Sequence, residues 1–91
     1  MEVDTADRLL AALAVVLRRR RRAGGLTQEE LAHRANRSIR YISLLETRRH
    51  QPTLETMFEI SRALGISLED LARDIEQEFR APSGKRDGGP A

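Results

Sequence analysis

Apolar residues recur along the chain at intervals of three and four positions, the spacing of one face of an α-helix. Near the N-terminus this face comprises Leu10, Leu13, Ala14 and Leu17, and the alternation typical of strands is scarce throughout. The same spacing returns in later segments, with Ile42 and Leu45, then Leu54, Met57, Phe58, Ser61 and Leu64, then Leu68, Leu71, Ala72, Ile75 and Phe79 as the expected inner faces. The pattern predicts an all-α fold.

Capping residues and helix breakers divide the chain into five predicted helices. Thr27, Ser38, Thr53 and Ser67 are expected N-caps, and Thr27 with Glu30 has the spacing of a capping box. Glycine pairs or single glycines end some helices, and Asn36 can adopt the left-handed turn conformation in their place. The predicted helices run from Asp4–Ala6 to Arg22, Thr27 to about Ala35, Ser38 to Thr47, Thr53 to Gly65, and Ser67 to about Arg80.

A chain of 91 residues is sufficient for one domain. We assign residues 1–80 to a compact five-helix domain. Residues 81–91 read APSGKRDGGPA, and their glycine and proline content predicts a flexible C-terminal tail.

Composition argues against catalysis and against metal or cofactor binding. The chain has no cysteine, its two histidines, His33 and His50, lie in different elements, and the Gly24–Gly25 pair lacks the context of a phosphate-binding loop. The apolar run from Leu9 to Leu17 is too short to span a membrane. Acidic residues precede this run and arginines follow it, the reverse of a signal peptide. These features predict a non-enzymatic protein of the cytoplasm.

Charge is segregated along the chain although the net charge is only +2. Residues 18–52 contain ten arginines and three glutamates, a local charge of +7, whereas residues 53–80 have a local charge of −4. A basic centre is typical of a surface that binds a polyanion, and the acidic C-terminal half could bind a protein partner.

Two short capped helices, Thr27 to Ala35 and Ser38 to Thr47, are joined by a tight turn, which is the arrangement of a helix-turn-helix. The surrounding sequence resembles the phage-repressor/Cro-like (Xre) helix-turn-helix family over about residues 17–72. The resemblance is carried by LTQEELA at 26–32, Tyr41-Ile42-Ser43 with Glu46, PTLET at 52–56 and ALGIS at 63–67. It implies a five-helix domain that binds double-stranded DNA, usually as a dimeric transcription regulator of bacteria, archaea or their phages. The resemblance therefore also implies a location at the nucleoid in the prokaryotic cytoplasm.

Site residues follow from this resemblance and from the expected position of the third helix in a major groove. Arg40 is expected to contact guanine or, as an equal alternative, a phosphate. In three places the chain departs from the family pattern. Asn36 and Arg48 each replace a glycine, and Arg37 replaces an apolar residue. An ion pair between Arg21 and Glu46 is also implied. The expected base contacts are Ile39, Arg40, Ser43 and Leu44, and the expected phosphate contacts are Gln28, Arg37, Tyr41, Arg48, Arg49 and His50.

The last turns of the fifth helix suggest a dimer interface. Ile75 and Phe79 extend beyond what the domain core requires, so they are predicted to meet a second copy at the pole opposite the basic centre. In the alternative, they pack on the first helix near Leu9 and Leu10. The predicted function is sequence-specific repression of transcription by a homodimer on a pseudo-palindromic operator. An antitoxin with a protein partner, or an interaction adaptor that does not bind DNA, are the alternatives.

Overall fold

A computed structural model describes residues 4–82 of the chain, and within them every element is helical. The predicted tail therefore lies outside the described residues from position 83 onward. The predicted all-α, five-helix fold is confirmed, and the predicted helix limits are met to within one or two residues. The helices are α1 (Asp4–Ala23), α2 (Gln28–Arg34), α3 (Ile39–Glu46), α4 (Leu54–Ala63) and α5 (Leu68–Arg80).

Local hydrogen bonds start four of the helices where the sequence predicts. The side-chain oxygens of Thr27, Ser38, Thr53 and Ser67 each accept a hydrogen bond from the backbone N–H three residues later. At α2 the capping box is complete, because Glu30 in turn accepts from the Thr27 N–H at 2.8 Å. Caps of this kind satisfy backbone donors that the first turn leaves without partners.

Four helices end in the same local structure, a left-handed residue followed by a six-to-one backbone hydrogen bond. The left-handed residues are Gly25, Asn36, Arg48 and Gly65, with φ between 57° and 79°. After each of them, the next N–H donates to a carbonyl in the last turn of the helix, as Arg49 N does to Leu44 O at 2.8 Å. Arg48 therefore adopts the left-handed conformation expected of the glycine that it replaces in the family pattern. Its Cβ makes this conformation sterically unfavourable.

The core is built around α1, which packs against both α3 and α5, while α2 contacts α3 and α4. Fully buried side chains from all five helices meet there: Val16, Leu17, Leu31, Ile42, Leu45, Ile60, Ser61 and Leu71. Between residues 4 and 82, no helix is both long and apolar enough to cross a membrane.

The expected inner face of the fourth helix is wrong in two positions. Leu54 is 74% exposed and Phe58 is 43% exposed. The buried side of α4 is centred instead on Ile60, with Thr56, Ser61 and Ala63 beside it. Leu54 and Phe58 lie one turn apart on the outer side because the 100° advance per residue carries them away from Ile60. On α5, Ala72 is also exposed.

Candidate nucleic-acid interface

The outer face of α3 is formed by side chains that the core does not use. Ile42 and Leu45 are buried and fix the orientation of the helix. On the opposite side, Ile39 is 48% exposed and Arg40 is exposed, while Ser43 and Leu44 are half-buried. The structure therefore brings the four expected base-contacting residues onto one face. This face has a cation, a hydroxyl and two aliphatic side chains, the groups that read guanine, mixed base edges and thymine methyls.

A basic segment follows α3 directly. Arg48, Arg49 and His50 are all exposed. The His50 ring packs edge-on against Tyr41, with ring centroids 4.9 Å apart, and Tyr41 itself is half-buried against the core. This contact joins the segment to the middle of α3. Phosphate contacts from these four residues remain predictions.

Glu46, the last residue of α3, accepts hydrogen bonds from two other helices. Arg21 donates from Nε to Oε2 at 2.6 Å and from a terminal nitrogen to Oε1 at 3.0 Å. The hydrogen bond to Glu46 raises the pKa of the Arg21 guanidinium above its usual value. Gln28 at the start of α2 also donates to Glu46 Oε1, at 3.0 Å. The ion pair implied by the resemblance is thus present, and it is nearly buried, with side-chain exposures of 11% and 3%.

Gln28 and Arg37, both expected at phosphates, have partners within the domain. Gln28 donates to Glu46, as described above. The Arg37 guanidinium donates to Thr56 Oγ1 at 2.9 Å and to the carbonyls of Ala35 and Asn36. Arg37 occupies the position that Leu26 and Ile66 hold after the left-handed residues of other turns. Its side chain replaces their apolar packing with hydrogen bonds that join the turn to α4.

The arginine run at 18–22 serves mainly to join helices, which sequence reasoning missed. Arg18 donates to Glu46 O at 2.8 Å, at the end of α3. Arg19 pairs with Glu78 at 2.8 Å and Arg20 with Asp74 at 2.6 Å, both on α5. The Asp74 hydrogen bond raises the pKa of Arg20 above its usual value. Asp74 and Glu78 are four residues apart on one helix face, and that spacing is the signal that could have predicted acceptors for this run.

The end of α5 packs against α1. Ile75 is half-buried against the core, and the guanidinium carbon of Arg8 lies 4.2 Å above the centre of the Phe79 ring. The Phe79 side chain also lines a groove of about 450 Å³ together with Thr47 and Arg48. The expectation that this end lies opposite the basic centre is therefore wrong, because Phe79 and Arg48 line the same groove beside α1. A role of Ile75 and Phe79 in dimerisation stays a prediction.

The ten arginines of residues 18–52 consequently fall into two groups. Arg18, Arg19, Arg20, Arg21 and Arg37 bond to other parts of the domain. The side chains of the other five, Arg22, Arg34, Arg40, Arg48 and Arg49, make no hydrogen bond or ion pair to any residue between 4 and 82. Of these five, Arg40, Arg48 and Arg49 lie on and directly after α3. The local charge of +7 therefore overstates the positive charge that is available to bind a polyanion.

Comparison with known proteins agrees with this arrangement. The family described as Helix-turn-helix matches residues 17–71. The chain belongs to the helix-turn-helix family. With this family match and an HTH-type transcriptional regulator among its relatives, the chain is a DNA-binding transcriptional regulator. The resemblance to Cro- and repressor-like proteins is confirmed. The family is one of regulators and not of enzymes.

Relatives of this helix-turn-helix chain occur in bacteria and in animals. It is 41% identical over 68 residues to an uncharacterized HTH-type transcriptional regulator, y4dJ, of Sinorhizobium fredii, spanning 75% of this chain and 84% of that protein. It is 33% identical over 77 residues to endothelial differentiation-related factor 1 of Rattus norvegicus. That match spans 82% of this chain but about half, 52%, of the rat protein.

Solved structures include similar helix-turn-helix domains. The clp gene regulator ClgR of Corynebacterium glutamicum is 30% identical with a TM-score of 0.77, over 87% of this chain and 84% of that one. The wild-type restriction-modification controller protein C.Esp1396I is 28% identical with a TM-score of 0.74, over 79% of this chain and 95% of that one.

Proposed function

We propose that this protein is a sequence-specific repressor that binds a pseudo-palindromic operator as a homodimer. The outer face of α3 carries the proposal, since it presents Ile39, Arg40, Ser43 and Leu44 on a helix whose end is held by Glu46. Side chains that read bases must be held in register with the groove, and a helix tied to both α1 and α2 meets that condition.

Contacts to DNA divide into reading and positioning contacts. Arg40 is the proposed guanine contact, and Ile39 and Leu44 are the proposed contacts to thymine methyls. Arg48 and Arg49 are the proposed main phosphate contacts because neither has an ion-pair partner among the described residues. Tyr41 and His50 are proposed to make further phosphate contacts on the same side. Gln28 and Arg37 are proposed to contact phosphate as well, while they keep their hydrogen bonds to Glu46 and Thr56.

Two copies on one duplex explain specificity better than one. A single recognition helix reads few base pairs, whereas a dimer reads two half-sites about 34 Å apart. Repression needs nothing more than occupancy, because a bound dimer that covers a promoter excludes other proteins from the site.

Selection of bound fragments from random duplex DNA tests this function. The full chain should enrich a site with two inverted half-sites, and the bound complex should contain two copies. Enrichment of a single half-site bound by one copy would contradict the homodimer. Binding to all fragments alike would contradict sequence-specific reading by α3.

A further inference from the structure

The outer side of α4 carries the two large apolar side chains that the core leaves uncovered there. Leu54 is 74% exposed and Phe58 is 43% exposed, one helical turn apart. The Phe58 ring has the guanidinium of Arg62 at 5.7 Å from its centre, on the next turn. Adjacent exposed apolar side chains on one helix face mark a surface that gains from contact with another protein.

Charges on this side of α4 are arranged for contact with a copy of itself. Glu55 lies in the first turn and Arg62 in the last turn, on either side of Phe58. Neither side chain has an ion-pair partner between residues 4 and 82. When two such helices run antiparallel about a two-fold axis near Phe58, Glu55 faces the partner's Arg62 at both ends. An isologous contact needs this self-complementarity.

We propose that the α4 face, formed by Leu54, Glu55, Phe58 and Arg62, binds the same face of a second copy in antiparallel orientation. The proposal rests on the homodimer of the proposed function and specifies which surface forms it. Phe58 meets its counterpart at the axis, and Leu54 packs along the aliphatic stem of the partner's Arg62.

Such a dimer is compatible with two half-sites on one duplex. Half-sites about 34 Å apart place each recognition helix about 17 Å from the two-fold axis. Residues 47–53 join the end of α3 to the start of α4, and seven residues span at most about 25 Å. The connection therefore keeps the start of α4 within about 25 Å of the end of α3, in a domain whose longest dimension is 34 Å.

The end of α5 is the rival surface, and the structure covers part of it. Phe79 lies beneath Arg8, and Ile75 packs against the core. On α4, by contrast, no element of the described chain covers Leu54. A helix of ten residues offers less than the roughly 800 Å² per partner of a standard interface, so the dimer is expected to dissociate on dilution.

Charge exchange on α4 tests the proposal without disturbing the core. Sedimentation velocity is measured for the full chain and for Glu55→Arg and Arg62→Glu, from micromolar to sub-millimolar concentration. Each single variant places like charges together twice across the axis, and its dimerisation should weaken by about tenfold or more. An equimolar mixture of the two variants restores both opposite-charge pairs and should dimerise as tightly as the unmodified chain.

Glu29→Arg is the matched control, because Glu29 is exposed and is the second residue of α2 as Glu55 is of α4. It should dimerise as the unmodified chain does. A second pair, Phe58→Asp and Phe79→Asp, compares the two surfaces with the same change in charge. Phe58→Asp should give a folded monomer by circular dichroism, and Phe79→Asp should lower thermal stability while the folded fraction still dimerises.

The results separate the α4 face from the function itself. Dimers of Glu55→Arg and Arg62→Glu as tight as those of the unmodified chain, or a mixture that stays monomeric, would overturn the α4 face while leaving a homodimer intact. An unmodified chain that is monomeric both free and on DNA would overturn the α4 face and the homodimer, but not DNA binding. Normal dimerisation with the expected variant behaviour and no DNA binding would overturn the proposed function alone.

Discussion

Single residues on and after α3 differ in what they offer to DNA. Arg40 is exposed on the reading face, whereas Arg49 lies beyond the end of the helix. Arg40→Ala should cost about 1–3 kcal/mol at one base position and relax the preference there. Arg49→Ala should weaken all sequences alike and reduce the salt dependence. Binding assays on a set of single-base operator variants measure both. Equal losses for Arg40→Ala on operator and random DNA would reassign Arg40 to a phosphate.

Arg48 combines a strained backbone with an exposed cation. Its φ of 61° is left-handed, and the Cβ raises the energy of that conformation by about 1–2 kcal/mol relative to glycine. Glycine also loses more entropy on folding, which offsets part of the gain. Arg48→Gly should therefore raise the free energy of unfolding by about 0.5 kcal/mol and weaken DNA binding. Arg48→Ala is the control, since it removes the charge but keeps the Cβ. Urea denaturation should show no stabilisation for alanine.

Among the elements, α1, α2 and α3 meet at Glu46. Removing the carboxylate leaves the Arg21 guanidinium, which has a side-chain exposure of 11%, with only its hydrogen bond to Leu26 O. Glu46→Ala should lower the free energy of unfolding by about 3 kcal/mol, because a desolvated charge loses its counter-charge. Glu29→Ala on the surface should have little effect. A double-mutant cycle with Arg21→Met, followed by urea denaturation, should show strong coupling, and additive losses would contradict the pairing.

The N-terminus of α2 should make stability depend on acid pH. The hydrogen bond from the Thr27 backbone N–H lowers the pKa of the Glu30 carboxyl below its usual range. A carboxyl whose folded pKa is depressed stabilises the fold above its unfolded pKa, and the effect is lost as pH falls through the folded pKa. The melting temperature of the unmodified chain should therefore fall between about pH 6 and about pH 3 by more than that of Glu30→Gln. If the melting temperatures of the two proteins fall equally over this pH range, the capping role of Glu30 is contradicted.

At the scale of the whole molecule, DNA binding should be strongly electrostatic. Arg48 and Arg49 of two copies could neutralise about four phosphates, so affinity should fall about 10²-fold between roughly 50 and 200 mM salt. The variant Arg48→Ala/Arg49→Ala should reduce the slope of log affinity against log salt by about four. Arg19→Ala, which removes an arginine bonded to α5, should leave that slope unchanged once the protein is folded. A slope insensitive to Arg48 and Arg49 would place the phosphate contacts elsewhere.

Reading the site from sequence worked where the evidence lay within a few residues. Ser38 predicted the start of α3, and the spacing of Ile42 and Leu45 predicted which side faces out. The same reasoning failed for Leu54 and Phe58, which fit an apolar helical spacing but lie on the outer side of α4. Spacing identifies residues that share a face. It does not say which of two apolar faces the neighbouring helices cover.

The sequence by itself determined the five helices, their caps and turns, the family and the outer face of α3. These depend on hydrogen bonds and steric limits between residues close in the chain, such as the left-handed φ at Asn36. Only the tertiary structure decided which arginines remain available for DNA. Arg19 and Arg20 reach acids more than fifty positions away on α5, and Arg37 reaches Thr56 on α4. A long side chain can reach in many directions, so its partner depends on the angles and distances at which the helices pack.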